Sequence, residues 1–231
     1  MPAAPAGSWA SPRPGERMEL PLFPLNTVLF PGAVIPIHVF EERYKAMIGR
    51  CLERKEPFGI VLIRSGREVG GPAVPYEVGT VARIGRVERL EDGRMNLLVL
   101  GERRFRIREL RQTQPYLVAE VELLPEEDGQ EVQELADTVA ALFSEFMRLS
   151  LAVTGQWART VRLPSGPAAL ADFVAHRLPI DLRQKQRLLE TLSARARLEM
   201  EAHVLKESIQ ELTRQVAAMR AQRWGGFWAL N

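Results

Sequence analysis

The chain has 231 residues, 46% of them hydrophobic, with 26% charged and a net charge of only +2. That length and apolar content give room for one large domain or two small ones with a real core. The near-neutral balance argues against a polyanion-coating protein. A single cysteine, Cys51, excludes an intramolecular disulfide and a cysteine-based zinc cage, and no apolar run approaches the ~20 residues of a bilayer span.

Residues 1–17 are rich in Pro, Ala, Ser and Gly and have neither a basic start nor an apolar block. They read as a disordered leader rather than a signal peptide, with a cytoplasmic location expected. Residues 19–43 are apolar runs broken by Pro21, Pro24, Pro31 and Pro36. Proline lacks a backbone donor and belongs at strand ends, edges and bulges. The pattern predicts short strands at Leu20–Phe23 and Ala33–Val39 around a Pro31-Gly32 connection. A helix follows over Glu41–Glu53, with Tyr44, Met47, Ile48, Cys51 and Leu52 on one face. Cys51 on that face is expected to be an inert core thiol.

Phe58–Ile63 is a buried-strand pattern, and Ser65–Gly71 a loop. Val78–Leu90 and Met95–Leu100 flank an Asp92-Gly93 hairpin turn. Arg103–Leu110 and Tyr116–Leu124 form a further strand pair. Beyond Pro125–Gly129 the period becomes helical. Helices are predicted at Val132–Thr154, Ala168–Arg177 and Leu182–Leu192, the last capped by Asp181. The final helix, Ala194–Arg223, carries Leu198, Leu205, Leu212 and Met219 seven apart, with Ala202, Ile209 and Val216 between. Such a seam serves either its own bundle or a homodimer. Residues 224–231 form an aromatic C-terminal tail with Trp224, Phe227 and Trp228.

Several blocks in order resemble the N-terminal, substrate-binding domain of Lon proteases. They are the 19–43 stretch, Phe58-Gly59-Ile60-Val61-Leu62, Tyr76–Ile84, Leu97–Ile107, Pro115–Val121, Leu178-Pro179-Ile180 and Lys185–Leu192. The likeness extends from about Met18 to Leu212. It implies an α+β fold, a PUA-like β pseudo-barrel (18–125) followed by a helical bundle (130–223) with a long C-terminal helix. In Lon proteases this module precedes an ATPase and a Ser-Lys protease domain. Here no G-x-x-x-x-G-K-[ST] phosphate loop occurs. Ser165 has no lysine at the spacing of the Lon dyad, so it reads as a helix-start residue. The expectation is a non-catalytic module without cofactor.

Two surfaces are candidates. Apolar residues among the prolines, Phe23 and Phe30 above all, would suit capture of unfolded hydrophobic segments or a protease partner, with Glu41, Glu42 and Arg43 as a polar rim. Arg104, Arg106 and Arg108 alternate with Phe105 and Ile107, which on a regular strand makes an anion strip for RNA or acidic peptides. The alternative is a solvated face paired to Glu102, Glu109, Glu120 and Glu122. His38, His176 and His203 lie far apart and lack metal-ligand spacing.

Overall fold

A computed structural model describes residues 13–126, 132–154 and 162–228. Seven strands come first: β1 (Arg17–Leu25), β2 (Val34–Val39), β3 (Phe58–Gly66), β4 (Ala73–Pro75), β5 (Val78–Arg89), β6 (Met95–Gln112) and β7 (Leu117–Leu123). Helix α1 (Glu42–Arg54) lies between β2 and β3. Four helices follow: α2 (Gln133–Val153), α3 (Pro167–Arg177), α4 (Leu182–Glu190) and α5 (Ala194–Trp228). The chain divides into two compact units, Met1–Glu126 with Pro179–Leu192, and Glu127–Leu178 with Ser193–Asn231.

In the first unit the sheet runs β1-β7-β6-β5-β3-β4, and a parallel β1–β3 pairing bends it into a near-closed ring. All other pairings are antiparallel. Inside sit Leu20, Leu22, Val61, Val81, Phe105, Ala119, Val121 and Leu123. Phe105 fills the space over two glycines. A Cβ at Gly79 would lie 2.7 Å from its ring and 2.5 Å from the Ile60 carbonyl oxygen, and one at Gly59 would also meet the ring at 2.7 Å. Because backbone stands in the way at Gly79, Gly79→Ala is expected to cost about 1–3 kcal/mol of stability by overpacking. Urea unfolding measures this, and an unchanged midpoint would show the ring yielding freely.

The segment between β1 and β2 folds against β5 and β6, with Gly32 N–H bonded to the Gly101 carbonyl at 2.8 Å. Val28, Leu29 and Phe30 are buried, and the buried Thr80 hydroxyl donates to the Leu29 carbonyl at 2.6 Å. Phe30 is fully buried, and Phe23 is buried as well, stacked on Tyr44 at 4.1 Å. The sequence expectation of exposed phenylalanines for capture is corrected on both counts: the prolines interrupt strand pairing, but the irregular backbone folds inward.

Sheet pairing extends further N-terminally than expected. Arg13–Glu16 form a turn, with Glu16 N–H donating to the Arg13 carbonyl at 3.0 Å and Gly15 at φ 81°. The predicted leader thus ends earlier, and its residues 1–12 lie outside the described residues. A second difference concerns α4, which belongs with the β unit instead of the bundle. Gln186 donates from Nε2 to the Val78 carbonyl at 2.9 Å, and Arg104 from Nε to the Leu189 carbonyl at 2.9 Å. Asp181 caps this helix as expected, in a full capping box with Gln184.

Cys51 is buried on α1, and burial pushes its thiol up to about 11. The thiolate is the reactive form. Iodoacetamide at pH 8 is expected to label Cys51 only after denaturant is added, and mass spectrometry reads the adduct.

In the second unit α5 packs on α2 and α3. Leu198, Ala202 and Leu205 are buried, whereas Ile209, Leu212 and Val216 are half-buried and Met219 is exposed. The first part of the heptad seam is thus used within its own bundle. The helical backbone continues through Gly225-Gly226 to Trp228, so the predicted tail is helical up to that residue.

Candidate functional site

β2 alternates regularly, with Ile35, Ile37 and Val39 buried and Val34, Pro36 and His38 facing out. Its only strand partner among the described residues is β6. Pro36 fits such an edge because its missing N–H breaks no ladder. The outward row is apolar: Val34 is 55% exposed, and Phe40, just past the strand, is 45% exposed. Next to it on β6, Leu98 opposite Pro36 is exposed, and Leu100 opposite Val34 is half-buried. Contiguous exposed apolar side chains on an edge strand mark a contact surface.

The row ends in a pocket of about 110 Å3 whose walls include Phe23, Leu25, His38, Phe40, Tyr44 and Val69. His38 and Phe40 stack with ring centroids 5.9 Å apart, and His38 Nδ1 lies 2.8 Å from Asn96 Oδ1. Tyr44 forms the floor with Phe23, and burial raises its hydroxyl above the ordinary tyrosine value. The loop between β3 and β4 makes the lip, with Val69 exposed.

Glu41 and Arg43 hold that lip. The Glu41 carboxylate accepts from Gly70 N–H at 3.2 Å and lies 3.0 Å from the Arg43 guanidinium, which also sits 4.6 Å over the Tyr44 ring. Glu68 is held by Asn26 Nδ2 at 2.7 Å. The structure thus brings together Phe23, Glu41 and Arg43 at one pocket. Glu42 stands apart, exposed and bridged to Lys45 at 2.8 Å.

Arg104, Arg106 and Arg108 do not form an open anion strip, and the pairs Arg108–Glu122, Arg111–Glu109 and Arg111–Glu120 are those of the carboxylate-paired alternative. β6 carries irregularities against β5 between Thr80 and Ala82, and against β7 between Ile107 and Glu109. Each resets the alternation. Arg104 stays on the face opposite Phe105 but is 4% exposed because α4 covers it there, Arg106 is half-buried, and Arg108 is exposed. Arg108 donates to Glu122 at 2.6 Å, while Arg111 and Arg17 both bond Glu120. These hydrogen bonds, Arg111 first, hold the Glu120 carboxyl below the usual range.

The missed residues are Val34, Phe40, Leu98 and Val69. A signal existed: Ala33–Phe40 is apolar at both parities except for His38, which normally means a strand buried on both faces. Pro36 in its middle demands an edge instead. Together these require apolar side chains on an open face.

Among the described residues no group of three His, Cys, Asp or Glu is placed to hold a metal, and no helix is long and apolar enough to cross a membrane.

A β ring closed by a parallel β1–β3 contact, followed by helices ending in a long one, is the fold of Lon N-terminal domains. The N-terminal domain of the Mycobacterium avium complex Lon protease superposes with a TM-score of 0.64 over 82% of this chain and 98% of that one, at 24% identity. The crystal structure of a Lon N-terminal domain protein from Xanthomonas campestris gives a TM-score of 0.60 at 31% identity, over 79% of this chain and 96% of that one. The family model described as the ATP-dependent protease La (LON) substrate-binding domain matches residues 19–207. The chain therefore belongs to the Lon substrate-binding domain family. The Lon protease of Anaeromyxobacter dehalogenans is 32% identical over 204 residues, covering 85% of this chain and 24% of that protein. Lon protease 2 of Myxococcus xanthus is 31% identical, with 85% and 25% covered. The chain spans about a quarter of the length of these relatives.

Proposed function

We propose that the chain is a non-catalytic polypeptide-recognition module which binds extended apolar segments of unfolded proteins on the outer face of β2. The observation that carries this is the row Val34, Pro36, His38, Phe40 with Leu98 beside it, leading into a pocket for one apolar side chain. Family membership supports the same reading. An extended segment paired along the open edge of β2 would gain backbone hydrogen bonds and set alternate side chains beside the row. Glu41 and Arg43 act here by fixing the lip, with Phe23 as the pocket wall.

The arginines support this reading more than the nucleic-acid one. Arg17, Arg108 and Arg111 are neutralised by neighbouring carboxylates, and Arg104 is inside. RNA capture would demand free cations and a steep loss of binding with salt.

The experiment is fluorescence anisotropy with a permanently unfolded protein, reduced and carboxymethylated α-lactalbumin, against the same protein with its disulfides intact. Binding of the unfolded form alone, little changed by salt, is expected. Equal binding of both forms, or of neither, defeats the proposal. The intact chain with ATP should leave the probe uncleaved.

A further inference from the structure

The wall of the ring is open along part of β1. That strand changes neighbours at Leu22: Arg17–Leu22 pair with β7, and Leu22–Leu25 pair with β3. On the side away from β7, residues 17–21 have no strand partner among the described residues. A cleft of about 300 Å3 lies beside this stretch, lined by Met18, Glu19, Pro21, Arg50, Glu56 and Pro57, and reaches Val118 on β7.

Leu123 N–H donates to the Glu16 carbonyl at 3.0 Å, so Glu16 offers its carbonyl to β7. Successive residues of a strand point their N–H and C=O to opposite edges. Met18 and Leu20 then also face β7, while Arg17, Glu19 and Pro21 face the cleft. Pro21 agrees independently, since a residue without N–H is tolerated where no ladder is formed. The open edge thus offers the donors and acceptors of Arg17 and Glu19, because the Pro21 carbonyl already serves the Leu22–Gly59 pairing with β3. A strand seated there would lie on the same edge of β1 as β3, beyond the Glu56-Pro57 segment that leads into β3. Residues 17–19 of that edge span about 10 Å.

The side chains indicate what would sit there. Met18, Pro21 and Pro57 give an apolar wall. Around it stand two carboxylates, Glu19 and Glu56, and one cation, Arg50, whose guanidinium is hydrogen-bonded to the Tyr116 side chain. The charge left over is negative.

We propose that this stretch of β1 is a strand-addition slot for an extended apolar polypeptide segment flanked by lysine or arginine. The slot rests on the polypeptide-recognition reading above and adds to it a second contact made chiefly by backbone. Pro21 ends the pairing at one side, so the slot accepts a short segment in one register and does not template an indefinite sheet.

Amide hydrogen exchange on the whole chain, with and without carboxymethylated α-lactalbumin, tests it. The amides of Arg17 and Glu19 should slow by about tenfold or more when the probe is bound. Slowing confined to the β2 strand overturns the slot and leaves the β2 reading intact. Slowing confined to Arg17 and Glu19 supports the slot and overturns the β2 site. Absence of any binding overturns both. The charge preference is read with two synthetic peptides sharing an apolar centre, one flanked by lysines and one by glutamates. The lysine peptide should bind more tightly, and the exposed double variant Glu19→Lys/Glu56→Lys should reverse the order. Equal binding by both peptides overturns the assigned chemistry.

Discussion

Replacing Val34 and Phe40 together with serine is expected to weaken binding of an unfolded polypeptide by roughly 30-fold, the effect of losing about 2 kcal/mol at an interface hot spot. Both side chains already stand in solvent, so the fold has little to lose, and stability should change by no more than about 0.5 kcal/mol per site. The contrast between a large binding effect and a small folding effect identifies a contact surface. The matched control is Val74→Ser on β4, a comparably exposed apolar side chain away from the row. Anisotropy titrations should leave that variant at the parent affinity. A similar loss in the control would mean general stickiness, and no loss in the double variant would remove the β2 row from the binding surface. A Phe23→Ala variant is less informative, because this ring is buried against Tyr44 and its removal leaves a cavity.

Where local chemistry decides the structure, the chain is readable. Asp92-Gly93 turns as its residue types require, with Gly93 at φ 79° and Leu90 N–H bonded to the Arg94 carbonyl. The helical period places α2, α3 and α5 within a few residues of their observed bounds. Long-range packing is what the sequence conceals. β6 reads as two strands parted at Gly101-Glu102, yet it is one strand of 18 residues. Gly101 is there for closeness and not for a turn: a Cβ would lie 2.3 Å from the Phe30 carbonyl oxygen. The same strand hides Arg104, which looks like one of three outward guanidiniums but lies under α4, bonded to the Leu189 carbonyl. A helix residue 85 positions downstream in sequence thus decides what an arginine does, and no local pattern announces it. Half of the candidate pocket was accessible through Phe23, Glu41 and Arg43. The exposed half was masked because its residues have the same apolar character as those facing inward.

Asp172→Ala is expected to destabilise the helical unit by about 3–5 kcal/mol, the cost of breaking a buried ion pair from one side. Asp172 on α3 is 1% exposed, and its carboxylate lies 3.5 Å from Nε of Arg197 on α5, which is fully buried, as is Glu201 one turn further along. A carboxylate and a guanidinium buried together inside a bundle depend on each other, since a charge removed from water needs a partner. Alanine at 172 leaves Arg197 with one carboxylate fewer while it stays desolvated. Replacing all three by apolar residues of similar volume, Asp172→Leu with Arg197→Met and Glu201→Leu, should recover much of the loss, because a packed apolar core avoids the desolvation cost. Amide exchange separates this from a general effect. Protection should fall in α2, α3 and α5, which pack on one another, and remain in the β ring, which has its own core. Equal loss in the ring would show that the two units share one unfolding transition. An undiminished α5 would mean that Leu198, Ala202 and Leu205 hold the bundle without help from the charges.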